Sequence, residues 1–257
     1  MMTLRRGHFF GRRFRRKNFP VRKYVPTRRP AQVRQSLFNP RPLTDRLSFQ
    51  TMHENQFGND FSVPNNGSIT AYITYPALGT LEPNRHRSYI KLNRLRFNGT
   101  TQIQSTQTDI IMDPSSPTPF PRLNGVLSVM IVLDRKPHRD PGSNRLDRFD
   151  EVFGANAFSH GNLQVVSRHR ERYKIKYMFK RVLSVEKEST LIKVGGSVSL
   201  SSSCYPCWAS FNDFDIDSLG GNYSNLNKNT LLVFYCWMSD SPSKASMFVS
   251  FDLDYLG

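Results

Sequence analysis

Apolar residues recur at every second position through much of the chain after Leu47, and this periodicity narrows its folds more than any other feature. A period of two sends successive side chains to opposite faces of a strand, so half-buried β-strands satisfy it and amphipathic helices do not. Ser68–Thr74 (SITAYIT) reads as one strand. Ser88–Phe97 (SYIKLNRLRF) reads as another, with Ile90 and Leu92 on one face and Leu95 and Phe97 following a bulge or register shift. Asn98–Gly99 then offers the positive-φ residues of a hairpin turn. Val126–Leu133 and Leu231–Met238 are continuously apolar, as strands buried on both faces are. Arg172–Phe179 alternates, with Tyr173, Ile175, Tyr177 and Phe179 on one side. Thr190–Val194 and Ser197–Leu200 read as two strands parted by Gly195–Gly196, and Leu163–Ser167 as a short one. Met247–Tyr255 closes the chain, with Met247, Val249, Phe251, Leu253 and Tyr255 inward and Ser250, Asp252 and Asp254 outward.

Asp113–Pro121, rich in proline, and the charged stretch Arg135–Arg148 are expected loops, and Asp147–Phe153 a short helix burying Phe149, Val152 and Phe153. Eight or nine strands with long connections and little helical periodicity predict an all-β fold. A single antiparallel jelly-roll-like sandwich over residues 45–257 accommodates them best. Some 210 residues (about the size of one all-β domain) can bury a core without disulfides or metal.

Residues 1–44 are of another kind. They hold thirteen Arg or Lys and no Asp or Glu, whereas the remainder holds twenty-three basic residues against twenty acidic ones. Prolines at 20, 26, 30, 40 and 42 forbid a continuous helix, and the apolar residues are too scattered to offset the entropy of ordering. A disordered basic arm is expected. With a net charge of +16, most of it on this arm, the chain calls for a polyanionic partner, nucleic acid first. The runs Arg12, Arg13, Arg15, Arg16, Lys17, then Arg22, Lys23, Arg28, Arg29, Arg34 and Arg41, also suit import-receptor grooves. Phe9, Phe10, Phe14, Phe19, Tyr24 and Phe38 lie between these charges, where they either stack on unpaired bases or serve as mobile spacers. A second basic cluster, Arg85, Arg87, Lys91, Arg94 and Arg96, falls on the strand Ser88–Phe97 and its approach. The opening residues lack a secretory signal pattern, no apolar run reaches bilayer-spanning length, and a soluble protein with free thiols is expected.

Two zinc arrangements enter by spacing. His169-Arg-Glu171 with Cys204-Tyr-Pro-Cys207 resembles the H-x-E and C-x-x-C parts of a nucleobase deaminase, but Ser203 replaces the proline before the first cysteine and the βα setting is missing. Cys204, Cys207, Cys236 and a histidine such as His160 offer a structural half-site without a matching second half. Phosphate-loop, dinucleotide and nucleophile-elbow motifs are absent from the sequence. Neither a catalytic residue nor a cofactor nor a bound metal is assigned. Leu191, Val194, Val198 and Leu200 carry the spacing read by export receptors, which need such side chains exposed, and equally that of a core strand, which buries them.

The proline-punctuated arm, LEPNRHRSYIKLNRLR (81–96), LIKVGGSVSL (191–200) and VSFDLDYLG (249–257) together resemble the nuclear shuttle proteins of bipartite begomoviruses, plant geminiviruses with circular single-stranded DNA. The resemblance spans nearly the whole chain beyond Met1–Phe10. It implies a non-enzymatic protein, related to the geminiviral coat protein, with a jelly roll behind a basic arm. Such a protein binds viral single- and double-stranded DNA, shuttles it between host nucleus and cytoplasm, and passes it to the viral movement protein. The latter would bring it to the cytoplasmic side of the cell membrane as a peripheral protein. By resemblance, import signals fall on Arg22, Lys23, Arg28, Arg29, Arg34 and Arg41 and on Arg85, Arg87, Lys91, Arg94 and Arg96. The export signal falls on Leu191, Val194, Val198 and Leu200. Host import and export receptors, a nuclear acetyltransferase and receptor-like kinases are the implied partners. The rival reading is a structural coat protein of a small single-stranded DNA virus.

Overall fold

The computed structural model describes residues 48–80, 83–106, 122–137, 145–213 and 219–257, except for the side chain of Phe158. The expectations for the arm and for the loop Asp113–Pro121 lie outside these residues. The described residues form two antiparallel sheets. One has the order β1 (Phe49–Val63), β10 (Ser243–Leu256), β3 (Tyr89–Ser105), β7 (Cys207–Phe211), β8 (Leu226–Lys228), with β6 (Ser189–Ser199) also paired to β3. The other has the order β2 (Gly67–Tyr72), β9 (Thr230–Ser239), β4 (Arg122–Asp134), β5 (Tyr173–Glu186). Setting aside the short β7–β8 pair, the first strand pairs with the last (β1–β10), the second with the second-last (β2–β9), then β3 with β6 and β4 with β5. That nested pairing is the jelly roll, and the fold is the all-β sandwich that the alternation predicts.

The core lies between the sheets. Leu127, Val129, Ile131 and Leu133 of β4 and Leu231, Val233, Tyr235 and Trp237 of β9 face Ile90, Leu92, Leu95 and Phe97 of β3 and the inward row of β10, Met247 to Tyr255. Each large side chain buried here stabilises the fold by about 1.5–3 kcal/mol. The opposite face of β4 and β9 is also covered. Met130, Val132, Leu232, Phe234 and Cys236 pack against Phe149, Val152 and Phe153 of helix α1 (Phe149–Phe153), together with Leu163, Val165 and Tyr223. Burial on both faces is the reason these two strands are continuously apolar. The helix starts where Glu151 accepts the Arg148 backbone N–H at 2.8 Å.

Several expectations change. Asn98–Gly99 is no hairpin turn: β3 runs straight through it, opposite Ser250 and Val249. Gly99 is needed because a Cβ there would stand 2.1 Å from the Phe248 carbonyl oxygen. Gly195–Gly196 likewise lies inside one continuous β6, where a Cβ on Gly196 would meet the Tyr177 ring at 2.7 Å. Residues 163–166 form no strand, and Ser167–His169 is a single 3-10 turn. Tyr173, Ile175, Tyr177 and Phe179 do not share a face. The β4–β5 register shifts so that Ile131 opposes Tyr177 and Val132 opposes Ile175, leaving Lys176 as the extra residue. Tyr173 and Ile175 therefore join the outer cluster, while Tyr177 and Phe179 join the inter-sheet core. The bulge expected before Leu95 is present: Arg94 opposes Asp254 and Leu92 opposes Tyr255, with Asn93 between them.

Candidate nucleic-acid interface

The Asn93 bulge shapes the outer face of the first sheet. Because Leu92 and Leu95 both point inward, Lys91 and, past the bulge, Arg94 and Arg96 all point outward. The Asn93 carbonyl accepts Leu200 N–H at 2.9 Å, and there β6 leaves β3 and β7 takes its place. Ser201 pins the exchange, its Oγ hydrogen-bonding to the Leu92 carbonyl and accepting Cys207 N–H at 2.7 Å.

On the β3–β7–β8 part of this face, Lys91 stands opposite Trp208, and Tyr89 opposite Ser210, which is opposite Lys228. Tyr89 and Trp208 meet edge to face, centroids 5.6 Å apart at 74°. The Arg87 guanidinium lies 5.7 Å from the Tyr89 ring centroid and donates to Tyr89 Oη at 2.7 Å. Trp208 is half-buried and Tyr89 is 39% exposed. Asn229, at positive φ, fixes the Trp208 main chain by donating to its carbonyl at 2.6 Å. On the β10 side Arg96 pairs with Asp254 at 2.9 Å, Thr51 donates to the same carboxylate oxygen, and His53 bonds Asp252 at 2.7 Å. Asp252 and Asp254 are thus engaged by one histidine, one threonine and one arginine, while Lys91, Arg94 and Lys228 give the β3–β7–β8 part of the face its cationic character.

Arg85 is not part of that face. It is fully buried, bidentate to Asp213, stacked 3.6 Å over the Phe211 ring and bonded to the Pro76 carbonyl. Burial raises the Asp213 carboxyl, but the hydrogen bonds and charge of Arg85 outweigh it and hold the group below its ordinary value. Arg12 to Arg41 lie outside the described residues.

A further cationic group escapes sequence reading. Lys176, half-buried at the β5 bulge, donates to the Leu200 carbonyl at 3.4 Å. Its amine is lowered by burial and by the like charges of Lys174 and Arg135. Lys176, Lys228, Lys174 and Arg135 all act on the Cys207 thiol, yet burial wins and raises it. These cations come from three separate strands or strand ends, so spacing could not have joined them. The alternation in CWASF sets Trp208 apart from its inward neighbours, but no local pattern pairs it with Tyr89.

The export-like residues divide. Leu191 is exposed, Val198 is half-buried, and Val194 and Leu200 are core. Cys207 faces the inter-sheet core and Cys236 the outer cluster, its thiol pushed up to about 11 by burial. Cys204 is exposed, and among the described residues no three His, Cys, Asp or Glu side chains converge on one point.

The model of the geminivirus coat protein/nuclear export factor BR1 family matches residues 5–257. The nuclear shuttle protein of Squash leaf curl virus is 47% identical over 237 residues, covering 92% of this chain and 90% of that protein. The nuclear shuttle protein of African cassava mosaic virus (isolate West Kenyan 844) is 32% identical, covering 93% and 91%. That of Indian cassava mosaic virus is 30% identical, covering 82% and 80%.

Proposed function

This chain belongs to the geminivirus coat protein/nuclear export factor BR1 family, and from that premise we propose that it is a non-enzymatic viral transport protein. It binds viral single- and double-stranded DNA, carries it between host nucleus and cytoplasm, and hands it to the viral movement protein at the cytoplasmic side of the cell membrane. The observation that carries this reading is its similarity, over nine-tenths of its length, to a protein named for nuclear shuttling.

The physics of the binding is electrostatic. Arg and Lys that neutralise phosphates release condensed counterions, so affinity falls with salt by roughly 0.7 log unit per phosphate on single strands for each log unit of salt. Two sets of residues supply the charge: the arm, with Arg12, Arg13, Arg15, Arg16, Lys17, Arg22, Lys23, Arg28, Arg29, Arg34 and Arg41, and the outer face of Lys91, Arg94, Arg96 and Lys228. The arm also serves host import receptors, and DNA competes with them for it. Export receptors, a nuclear acetyltransferase and receptor-like kinases complete the set of host partners. Leu191 is the export-like side chain presented to such a receptor, since Val194 and Leu200 are core.

The test is the salt dependence of single-stranded DNA binding for the full chain and for a chain starting at Asp45. A loss of most of the slope makes the arm the DNA clamp; a slope that persists makes the outer face the clamp. Absence of DNA binding by the full chain overturns the reading. The family description also names coat proteins, and assembly of purified protein into particles would favour that second role.

A further inference from the structure

We propose that Tyr89 and Trp208 form a stacking platform for unpaired bases and give the folded part of the chain its preference for single strands over duplex. The inference rests on the DNA-binding reading above and adds the residues that set its specificity.

Strand positions facing solvent on a jelly roll are ordinarily polar, and a tryptophan there leaves part of its apolar surface in water. Here an outward tryptophan and an outward tyrosine are neighbours in ring contact, on adjacent strands, at the same end of the sheet. Cations surround the pair: Arg87 beside the tyrosine ring, Lys91 opposite the tryptophan, Lys228 one strand further, and Arg94 just past the bulge. Aromatic rings interleaved with Arg and Lys are what a single strand requires, since each unpaired base offers a flat π face and each linkage a phosphate charge. A duplex hides its base faces in the stack, so it can use the cations but not the rings. The platform is also held in place. The Asn229 bond to the Trp208 carbonyl and the strand pairing on both sides of β7 fix the backbone, so little ordering remains to oppose binding.

The test uses the full chain, an oligo-dT strand and a duplex of equal length. Trp237 is fully buried, so quenching of tryptophan emission by oligo-dT reports on Trp208. The proposal expects clear quenching by oligo-dT and little by duplex. It expects Trp208→Leu to weaken single-strand binding roughly 5- to 150-fold while duplex affinity changes less than about twofold. Trp208→Phe should abolish the quenching but keep most of the affinity, which guards against a variant that merely misfolds. Equal loss on both DNAs, or no loss on either, overturns the platform while leaving DNA transport intact. Failure of the unaltered chain to bind either DNA removes the transport reading and the platform with it.

Discussion

Arg85 and Asp213 meet as a buried, two-pronged ion pair, with the guanidinium nitrogens 2.7 and 2.5 Å from the two carboxylate oxygens. The same guanidinium bonds the carbonyls of Pro76 and Arg87 and covers the Phe211 ring. One side chain thus ties the segment before β3 to the end of β7. Removing it would leave a buried carboxylate without its counter-charge. Arg85→Ala is therefore expected to cost about 3–5 kcal/mol, read as a lower midpoint in urea. A loss below 1 kcal/mol (roughly the value of a surface pair) would show that the pair is not structural.

The same pair sets an acid limit. Because the folded Asp213 carboxyl lies below its ordinary 3.8, the unfolded chain binds its proton first. The pair's contribution is complete above that value and disappears as pH falls through the folded pKa. Asp213→Asn should be less stable at neutral pH and should lose less on acidification. Parallel acid curves for the two proteins would refute this.

His53 behaves in the opposite sense. Its hydrogen bond to Asp252, aided by the charge of that carboxylate and by Asn55, outweighs burial and raises the imidazole above 6.5. The contribution is complete below 6.5 and is lost as pH rises through the folded value. An NMR titration should give a His53 midpoint above 6.5 that drops in Asp252→Asn. An unchanged midpoint in the variant would assign the shift elsewhere.

The outer face and the buried arginine should separate in binding. Arg94→Ala is expected to reduce the salt slope of single-strand binding by roughly 0.7, one phosphate contact. Arg85→Ala, measured on the fraction that remains folded, should leave the slope unchanged. If both variants reduce it equally, the basic cluster acts as a unit despite the burial of Arg85.

The two glycines of β6 should differ. A Cβ on Gly196 would lie 2.7 Å from the Tyr177 ring and 2.9 Å from that of Phe97, whereas on Gly195 the nearest atom is Asn98 Oδ1 at 3.3 Å. Gly196→Ala is expected to cost about 1–3 kcal/mol by overpacking. Gly195→Ala should be within about 0.5 kcal/mol of the parent or slightly more stable, since glycine is a weak strand residue. Thermal melts of the two variants give the comparison.

Much of the fold was legible because its signals are local. The alternation in β10 and the continuous apolar runs of β4 and β9 report burial on one face or two, and the pattern of Leu92, Arg94 and Leu95 already contains the bulge. Misreadings arose where one local pattern serves two purposes. Asn98–Gly99 carries the composition of a turn, but its glycine answers the approach of the Phe248 carbonyl from a strand about 150 residues away. The clean alternation of Tyr173 to Phe179 hides the Lys176 bulge, which exists only in the pairing of β5 with β4.

By itself, then, the sequence determined the fold class, the strand cores of β4, β9 and β10 and the unequal distribution of charge, since each depends on the order of neighbouring side chains. The 15-residue β1 (Phe49–Val63) is not among the strands it announces. Tertiary structure alone decided which cations face solvent. Arg85 and Arg87 are two residues apart, yet one is buried against Asp213 while the other flanks Tyr89 at the surface. It also brought Trp208 beside Tyr89 and Lys91, and both Lys176 and Lys228 within electrostatic reach of Cys207. The physical reason is that strand pairing joins residues more than a hundred positions apart, and no local pattern records which strand will arrive at an edge.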